Sequence, residues 1–391
     1  MGINVLINDV NDHGFLIIKL NENRYMKRGH IMRKLIGFFI TTLLILSLFG
    51  CSLFDGEDTF YYDTWNVIII IGDGMGDVHE QVAREVLDGP LEWDSFPIKG
   101  KVITNSTNIY SATDSAAAAT AMSTGHKTRN NYVGMSIEGE RYEHIMMFAK
   151  TLQMRTGIVT TDEIYEATPA GFSAYSESRS TSDEIVLSQI TSGINLFVGG
   201  DSSNIIGSNR KAIERAGYKI VSDLNQIRNR DQFVYSVYQS IDAPENQKAG
   251  STTFLPKVQS ALHFLSRNNS KGFMLLIEGE KSDSLSHAGS SNFVYEVLDL
   301  NNVVKEVIKW AKDFPNTLII VTADHETGGL VINNDNNEAN ILDRLTWSTT
   351  GHTSDFVNYY MIDPINRTHP SEIDNTDIYH IMKNYLTNQR P

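Results

Sequence analysis

In Asn66-Val67-Ile68-Ile69-Ile70-Ile71-Gly72-Asp73-Gly74-Met75-Gly76-Asp77 an unbroken apolar, β-branched run stops at a glycine turn that carries an acidic residue. A strand without polar alternation is one buried on both faces, as in a parallel sheet covered by helices. The residues after the turn, through Leu87, carry a helical pattern, so the stretch is a strand–turn–helix unit. The expected fold class is therefore α/β, with a large, mostly parallel central sheet and helices on both faces. Asp73 then stands at the carboxyl end of a central strand, where open α/β sheets place their chemistry. The turn is not a dinucleotide fingerprint. Its glycine spacing differs, and an acidic residue inside it would repel a pyrophosphate unless a metal lay between them.

Two more buried strands end in the same way. Phe273 to Ile277 runs into Glu278-Gly279-Glu280-Lys281-Ser282-Asp283-Ser284-Leu285-Ser286-His287, and Thr317 to Thr322 delivers Ala323-Asp324-His325. Strand ends of a parallel sheet converge on one edge, and several carboxylates that close cannot all stay ionised without countercharge. Divalent metals are the natural counterions. Carboxylate mixed with imidazole and no cysteine suits zinc or a similar ion, while a carboxylate and hydroxyl pocket suits magnesium. Asp283 and His287, four apart, can grip one ion, with His352 joining from its loop. Asp324 and His325 are adjacent and need an irregular strand end to face one ion together.

Weaker signals fill the gaps. Strands are expected at Lys101 to Thr104, Thr156 to Thr161, Asn195 to Gly200, Tyr218 to Val221 and Phe233 to Tyr238. Helices are expected from Tyr142 to Lys150, from an N-cap at Thr168 with Pro169 in its first turn to near Arg179, at Lys211 to Ala216, from Asn292 to Phe314, and from Asp377 to Leu386. The stretch from Ser180 to Gln259 shows no catalytic constellation.

Thr113-Asp114-Ser115-Ala116-Ala117-Ala118-Ala119 sets a hydroxyl between an acid and an alanine run. On its own this is an N-cap signal. Beside the carboxylates and imidazoles it reads as a nucleophile in the first turn of a closely packed helix, where free N–H groups and the helix dipole favour an alkoxide and an incoming phosphate. Two metals about 4 Å apart suit phosphoryl transfer. Arg179 offers a planar fork to two phosphate oxygens.

With 391 residues, 41% hydrophobic, the chain has ample material for a core, and a formal charge of -14 argues against nucleic-acid partners. The single cysteine, Cys51, follows Lys27, Arg28, Arg33 and Lys34 and an apolar run from Leu35 to Phe49. That is the layout of a secretory signal, too short for a comfortable membrane span. Leu48-Phe49-Gly50-Cys51 resembles a bacterial lipoprotein cleavage box, with Phe49 bulkier than the usual residue there. The resemblance implies lipid attachment at Cys51 and an exported protein, periplasmic or at the cell surface, held to the membrane by its lipid. Residues Met1 to Tyr25 fit no signal pattern, so translation is expected to start at Met26 or Met32. The expected organisation is an extension and signal over 1–50, a lipid-anchored tether over 51–64 and a catalytic domain over 65–391.

From about Asn66 to Met361 the chain resembles the alkaline phosphatase family. The resemblance rests on Gly72-Asp73-Gly74-Met75-Gly76, Thr113-Asp114-Ser115-Ala116-Ala117, Ala167-Thr168-Pro169-Ala170, Glu278-Gly279 with Asp283 and His287, Thr322-Ala323-Asp324-His325, and Gly351-His352-Thr353. It implies a three-layer sandwich, two zinc ions and one magnesium ion. Ser115 resembles the nucleophile that becomes a phosphoserine, later hydrolysed by water. Asp283, His287 and His352 resemble the ligands of the first zinc, and Asp73, Asp324, His325 and Ser115 those of the second. Asp73, Thr168 and Glu278 resemble the magnesium ligands, with Glu166 near that ion where relatives carry Asp or His, and Arg179 resembles the phosphate clamp. Ser284 and Ser286 fill a turn where some relatives carry groups that reach toward phosphate.

The expected activity is hydrolysis of small phosphate monoesters. The alternatives are a phosphodiesterase or another phosphate- or sulfate-ester hydrolase of the same superfamily, and a lipoprotein that binds metal or phosphate without turnover. The oligomeric state, a homodimer included, is left open.

Overall fold

The apolar run forms β1 (Asn66–Gly72), and every one of its residues is buried. The structure is a computed structural model that describes residues 58–108, 110–238, 254–334 and 340–387. The chain divides into two units, Met1–Gly56 and Glu57–Pro391. The first unit, with Cys51, the basic cluster and the apolar run before it, lies outside the described residues, as does the start of the 51–64 tether. The described end of that tether lies along the domain. Thr59 N donates to Asn268 Oδ1, and the rings of Phe60 and Tyr62 rest on His263 and Phe314. Among the described residues no helix is long and apolar enough to cross a membrane.

The strands after β1 are β2 (Ile98–Ile103), β3 (Arg155–Glu163), β4 (Leu196–Gly200), β5 (Lys219–Val221), β6 (Val234–Tyr238), β7 (Phe273–Gly279) and β8 (Thr317–Ala323). They continue with β9 (Glu326–Thr327), β10 (Leu330–Ile332), β11 (Leu345–Trp347), β12 (His352–Thr353), β13 (Val357–Ile362) and β14 (Glu372–Asp374). The main sheet runs β14-β2-β13-β8-β1-β7-β3-β4-β6-β5, and β9·β12 and β10·β11 form two small ribbons. All pairings in the main sheet are parallel except those of β13 with β2 and β8. β1 is central, between β8 and β7, which is why it tolerates no polar alternation.

The helices form two packed groups that sandwich the sheet. Asp77–Leu87 packs on Phe293–Ala311, which in turn meets Phe254–Ser266; Ser115–Thr124 packs on Ala167–Gly171 and Asn375–Thr387. All ten residues of the Ser115 helix are buried. Its alanines allow this. A Cβ added at Gly171 would lie 2.5 Å from Ala119 Cβ, so the two helices meet almost backbone to backbone.

Several element boundaries differ from expectation. The helix expected to run to Arg179 is short, Ala167–Gly171, with Glu166 rather than Thr168 at its N-cap. Backbone pairing stops it: Val133 and Ser176 exchange two hydrogen bonds and Arg179 N donates to Asn131 O, which draws the chain into a loop. The helix expected from Tyr142 begins at Ile145, because Tyr142 N is bonded back to Gly134 O. After Ser180 the expected strands β4 to β6 and the helix Arg210–Arg215 are present within one residue, and a helix that was not expected covers Ser182–Ser192.

Candidate active site and metal centre

Register brings the acidic strand ends together. Gly72 of β1 lies opposite Gly279 of β7 and Ala323 of β8, so three neighbouring strands stop at one level. The turns beyond them are sewn to each other, with Asp73 N donating to Gly279 O (2.9 Å) and Gly74 N to Asp324 Oδ1 (3.1 Å). Gly74 has φ +68°, and a Cβ there would lie 2.8 Å from Asp283 Oδ1. Only glycine lets this turn approach so closely. Asp324 and His325 fall in the break between β8 and β9, and the β9·β12 ribbon sets His352 opposite Thr327.

Two groups of donor atoms result, Asp73, Asp324 and His325, and Asp283, His325 and His352, each within 4.8 Å of one another. His325 Nε2 lies 3.5 Å from Asp73 Oδ1, 3.2 Å from Asp324 Oδ2 and 3.2 Å from Ser115 Oγ. His287 Nε2 lies 3.2 Å from Asp283 Oδ2 and 3.1 Å from His352 Nε2. The His325 and His352 rings stack at 3.6 Å, so His325 touches both groups rather than one.

The imidazoles are oriented from behind. His287 Nδ1 is 2.6 Å from Thr350 O and His352 Nδ1 is 2.7 Å from Thr113 O; both must donate there, since a carbonyl only accepts. Thr327 Oγ1 donates to Asp283 Oδ1, which leaves it to accept from His325 Nδ1 at 3.2 Å. The Nε2 atoms of His325 and His352 therefore turn lone pairs inward, as metal-bound histidines do, and His287 Nε2 faces the same space, donating to Asp283 where a metal would take the place of its proton. His287 Nε2 and His352 Nε2 lie 3.1 Å apart, a spacing two imidazole nitrogens tolerate only with a proton or a cation between them. Asp73 Oδ1 and Asp324 Oδ2 are buried without a hydrogen-bond partner. This donor set fits divalent metal.

The charges tell the same story. Burial, then Asp324, Asp283 and Glu278, push the Asp73 carboxyl far above the usual carboxylate range. Asp324 and Glu278 are raised by burial and then by their acidic neighbours, Asp283 and Asp162. Burial drives the His325 imidazole well down. Burial opposes ionisation of Asp283 as well, but the His287 hydrogen bond and the His325 and His352 rings outweigh it and hold that carboxyl low. His287 is pushed up to about 9, first by its hydrogen bond to Asp283. The pocket holds more negative charge than its own groups neutralise.

Ser115 opens its helix, with Asp114 at the N-cap accepting from Ala117 N at 3.0 Å. Asp114 Oδ2 also lies 3.6 Å from Arg179 Nη1, and Glu166 Oε2 lies 3.6 Å from Arg179 Nη2. Burial works against the Arg179 charge, yet Asp114, Glu166, Asp73 and Asp283 outweigh it and raise its pKa. Glu278 Oε2 accepts from Thr160 Oγ1 at 2.5 Å. The Thr168 hydroxyl is buried near the same carboxyl, without a hydrogen-bond partner. Of the residues singled out in the sequence, the structure draws Ser115, Asp73, Asp283, His287, Asp324, His325 and His352 into one centre. Glu278 and Thr168 lie beside it, Arg179 and Glu166 are at its rim, and Cys51 is outside the described residues. Sequence reasoning missed Thr327 and Thr160, whose signals were their places opposite His352 and Glu278 in the strand register.

The alkaline phosphatase family model matches residues 64–342 of this chain. The chain belongs to the alkaline phosphatase family. Alkaline phosphatase 4 of Bacillus subtilis is 33% identical over 289 residues, 68% of this chain and 62% of its own length. Alkaline phosphatase 3 of the same organism is 31% identical, covering 69% of this chain and 63% of its own. The chain thus spans somewhat less than two thirds of the length of these two alkaline phosphatases. Among solved structures, the alkaline phosphatase of the Antarctic bacterium TAB5 superposes with a TM-score of 0.74 at 26% identity, over 83% of this chain and 99% of that one. A histidine-to-aspartate variant of the TAB5 alkaline phosphatase, with Mg bound in its M3 site, gives the same TM-score.

Proposed function

We propose that this chain hydrolyses phosphate monoesters through Ser115, with two zinc ions and one magnesium ion as its cofactors. The observation that carries the reading is the inward turn of three Nε2 atoms: that of His325 onto Asp73 Oδ1 and Asp324 Oδ2, two carboxylate oxygens buried without hydrogen-bond partners, and those of His287 and His352 onto Asp283. Asp283, His287 and His352 would hold the first zinc, Asp73, Asp324, His325 and Ser115 the second, and Asp73, Thr168 and Glu278 the magnesium, with Glu166 near it. The Mg of the TAB5 variant's M3 site is a precedent for the third ion. Bound metals would neutralise the carboxylates, lower the pKa of the Ser115 hydroxyl and stabilise charge on the transferring phosphoryl group.

The chain's own groups do the rest. The first turn of a ten-residue helix presents Ser115 with its dipole toward an anion. Attack by Ser115 Oγ on phosphorus forms a phosphoserine and expels the alcohol; water then returns the serine and releases phosphate. Asp114 both caps that helix and pairs with Arg179, so nucleophile and guanidinium fork are fixed to the same residue. The planar fork of Arg179, held 3.6 Å from Asp114 and from Glu166, suits a monoester, which offers two unsubstituted oxygens beyond those engaged in transfer. Export and lipid anchoring at Cys51 belong to the same proposal, supported by the signal-like sequence before it.

Turnover of an aryl phosphate monoester and the matching diester is to be compared on one preparation, before and after chelation. We expect preference for the monoester, loss on chelation, and recovery with zinc that magnesium increases. A clear preference for the diester, or activity indifferent to chelation, would overturn the reading.

A further inference from the structure

Behind the centre, a buried imidazole that the reaction does not use ties the Asp73 turn to the helix Lys281–His287. His79 is fully buried in the first turn of the helix Asp77–Leu87. Its Nδ1 lies 3.2 Å from Gly76 N, and its Nε2 lies 3.0 Å from Ser286 Oγ. A backbone N–H can only donate, so Nδ1 is bare and the proton sits on Nε2. That proton goes to Ser286 Oγ, whose own hydrogen is given to Ser282 O at 2.6 Å. Ser282 Oγ in turn donates to the carbonyl of Asp73. The ring is wedged edge-on against Phe293 (4.7 Å) and beside Trp347 (6.1 Å). Every polar atom of the relay has a partner, and each link has one direction.

The helix so held carries Asp283 and His287 one turn apart and is seven residues long. A helix that short is marginal alone, so its rotation is set by tertiary ties. Rotation is what decides whether Asp283 and His287 face His352. We propose that His79 is a positioning residue for the Asp283, His287 and His352 zinc site, acting through its Nε2–H on Ser286. This rests on the reading of those three residues as zinc ligands. Loss of groups that orient ligands from behind typically weakens metal binding about 10–100-fold.

The test is zinc retention against a competing chelator, measured on the zinc-loaded full protein, with thermal unfolding of the metal-free protein as a second readout. His79→Leu and Ser286→Ala are expected to release zinc at chelator concentrations about 10–100-fold lower than wild type. His79→Gln, which returns an N–H donor at the place of Nε2, is expected to restore retention. His79→Asn, which returns only an acceptor at the place of Nδ1, is not. A merely structural role would lower the melting temperature of these variants without separating Gln from Asn. Retention within about twofold of wild type in both His79→Leu and Ser286→Ala, or equal rescue by Asn, overturns the inference. If His79→Leu does not fold, Ser286→Ala decides, since it leaves the ring in place. Wild-type protein that retains no zinc would instead remove the zinc reading on which the inference stands.

Discussion

Arg179 shows how much one side chain depends on what the sequence hides. Its residue type announced a phosphate clamp, but its position comes from a loop pinned at Asn131 and Ser176 and from carboxylates of Asp114 and Glu166, 3.6 Å away on either side. The family resemblance set Glu166 near an expected third ion; that its carboxylate pairs with Arg179 was not legible, because spacing along a chain does not fix where a side chain turns. Thr327 was invisible for a different reason, since a threonine in a strand is commonplace until its hydroxyl is found between Asp283 and His325. Replacing Arg179 by Ala should lower kcat/KM for an aryl phosphate on the order of a hundredfold, the worth of about two charge-assisted hydrogen bonds. Lys at this position should recover part of it, being a point charge without the fork. Zinc content should be unchanged in both variants. Zinc loss in Arg179→Ala would show that the guanidinium supports the metal pocket instead.

At the level of elements, β1, β7 and β8 were readable because each is built on an unbroken apolar run buried on both faces, and each continues one or two residues past its expected end. The helix Asn292 to Phe314 was readable for its periodicity and ends a turn early, at Ala311. In the middle stretch β4, β5, β6 and the helix Arg210–Arg215 lie within one residue of expectation, while the helices Ser182–Ser192 and Ile205–Ser208 went unread, the second for being only four residues long. The alanine run was read as a sign of close packing, and its partner is now identified as Gly171. Gly171→Ala would set a methyl 2.5 Å from Ala119 Cβ and 3.1 Å from the backbone N of Thr120. Backbone cannot swing aside as a long side chain can, so the Ser115 helix and the Thr168 helix must separate. The expected cost is about 1–3 kcal/mol of stability, read by denaturant unfolding, together with reduced turnover. An unchanged unfolding midpoint and turnover would mean that the two helices are not held at this contact.

Over the whole molecule, a chain of formal charge -14 gathers several of its carboxylates, Asp73, Asp324 and Glu278 among them, into one buried centre, a donor set that fits divalent cations. The ten-stranded sheet stops three central strands at one level, and the turns beyond them place acid, imidazole and one serine hydroxyl within hydrogen-bond reach of a single ring, His325. Those carboxylates lie on segments far apart in the chain, so no local pattern alone could have disclosed their meeting. What disclosed it in sequence was the repetition of one device, an apolar run ending in an acid. The most direct measurement is acid quench of the metal-loaded protein during turnover of a phosphate-labelled monoester, followed by mapping of the label in wild type and Ser115→Ala. Label on Ser115 in wild type, with neither label nor appreciable turnover in Ser115→Ala, is the predicted result. Hydrolysis by Ser115→Ala at the wild-type rate would contradict it.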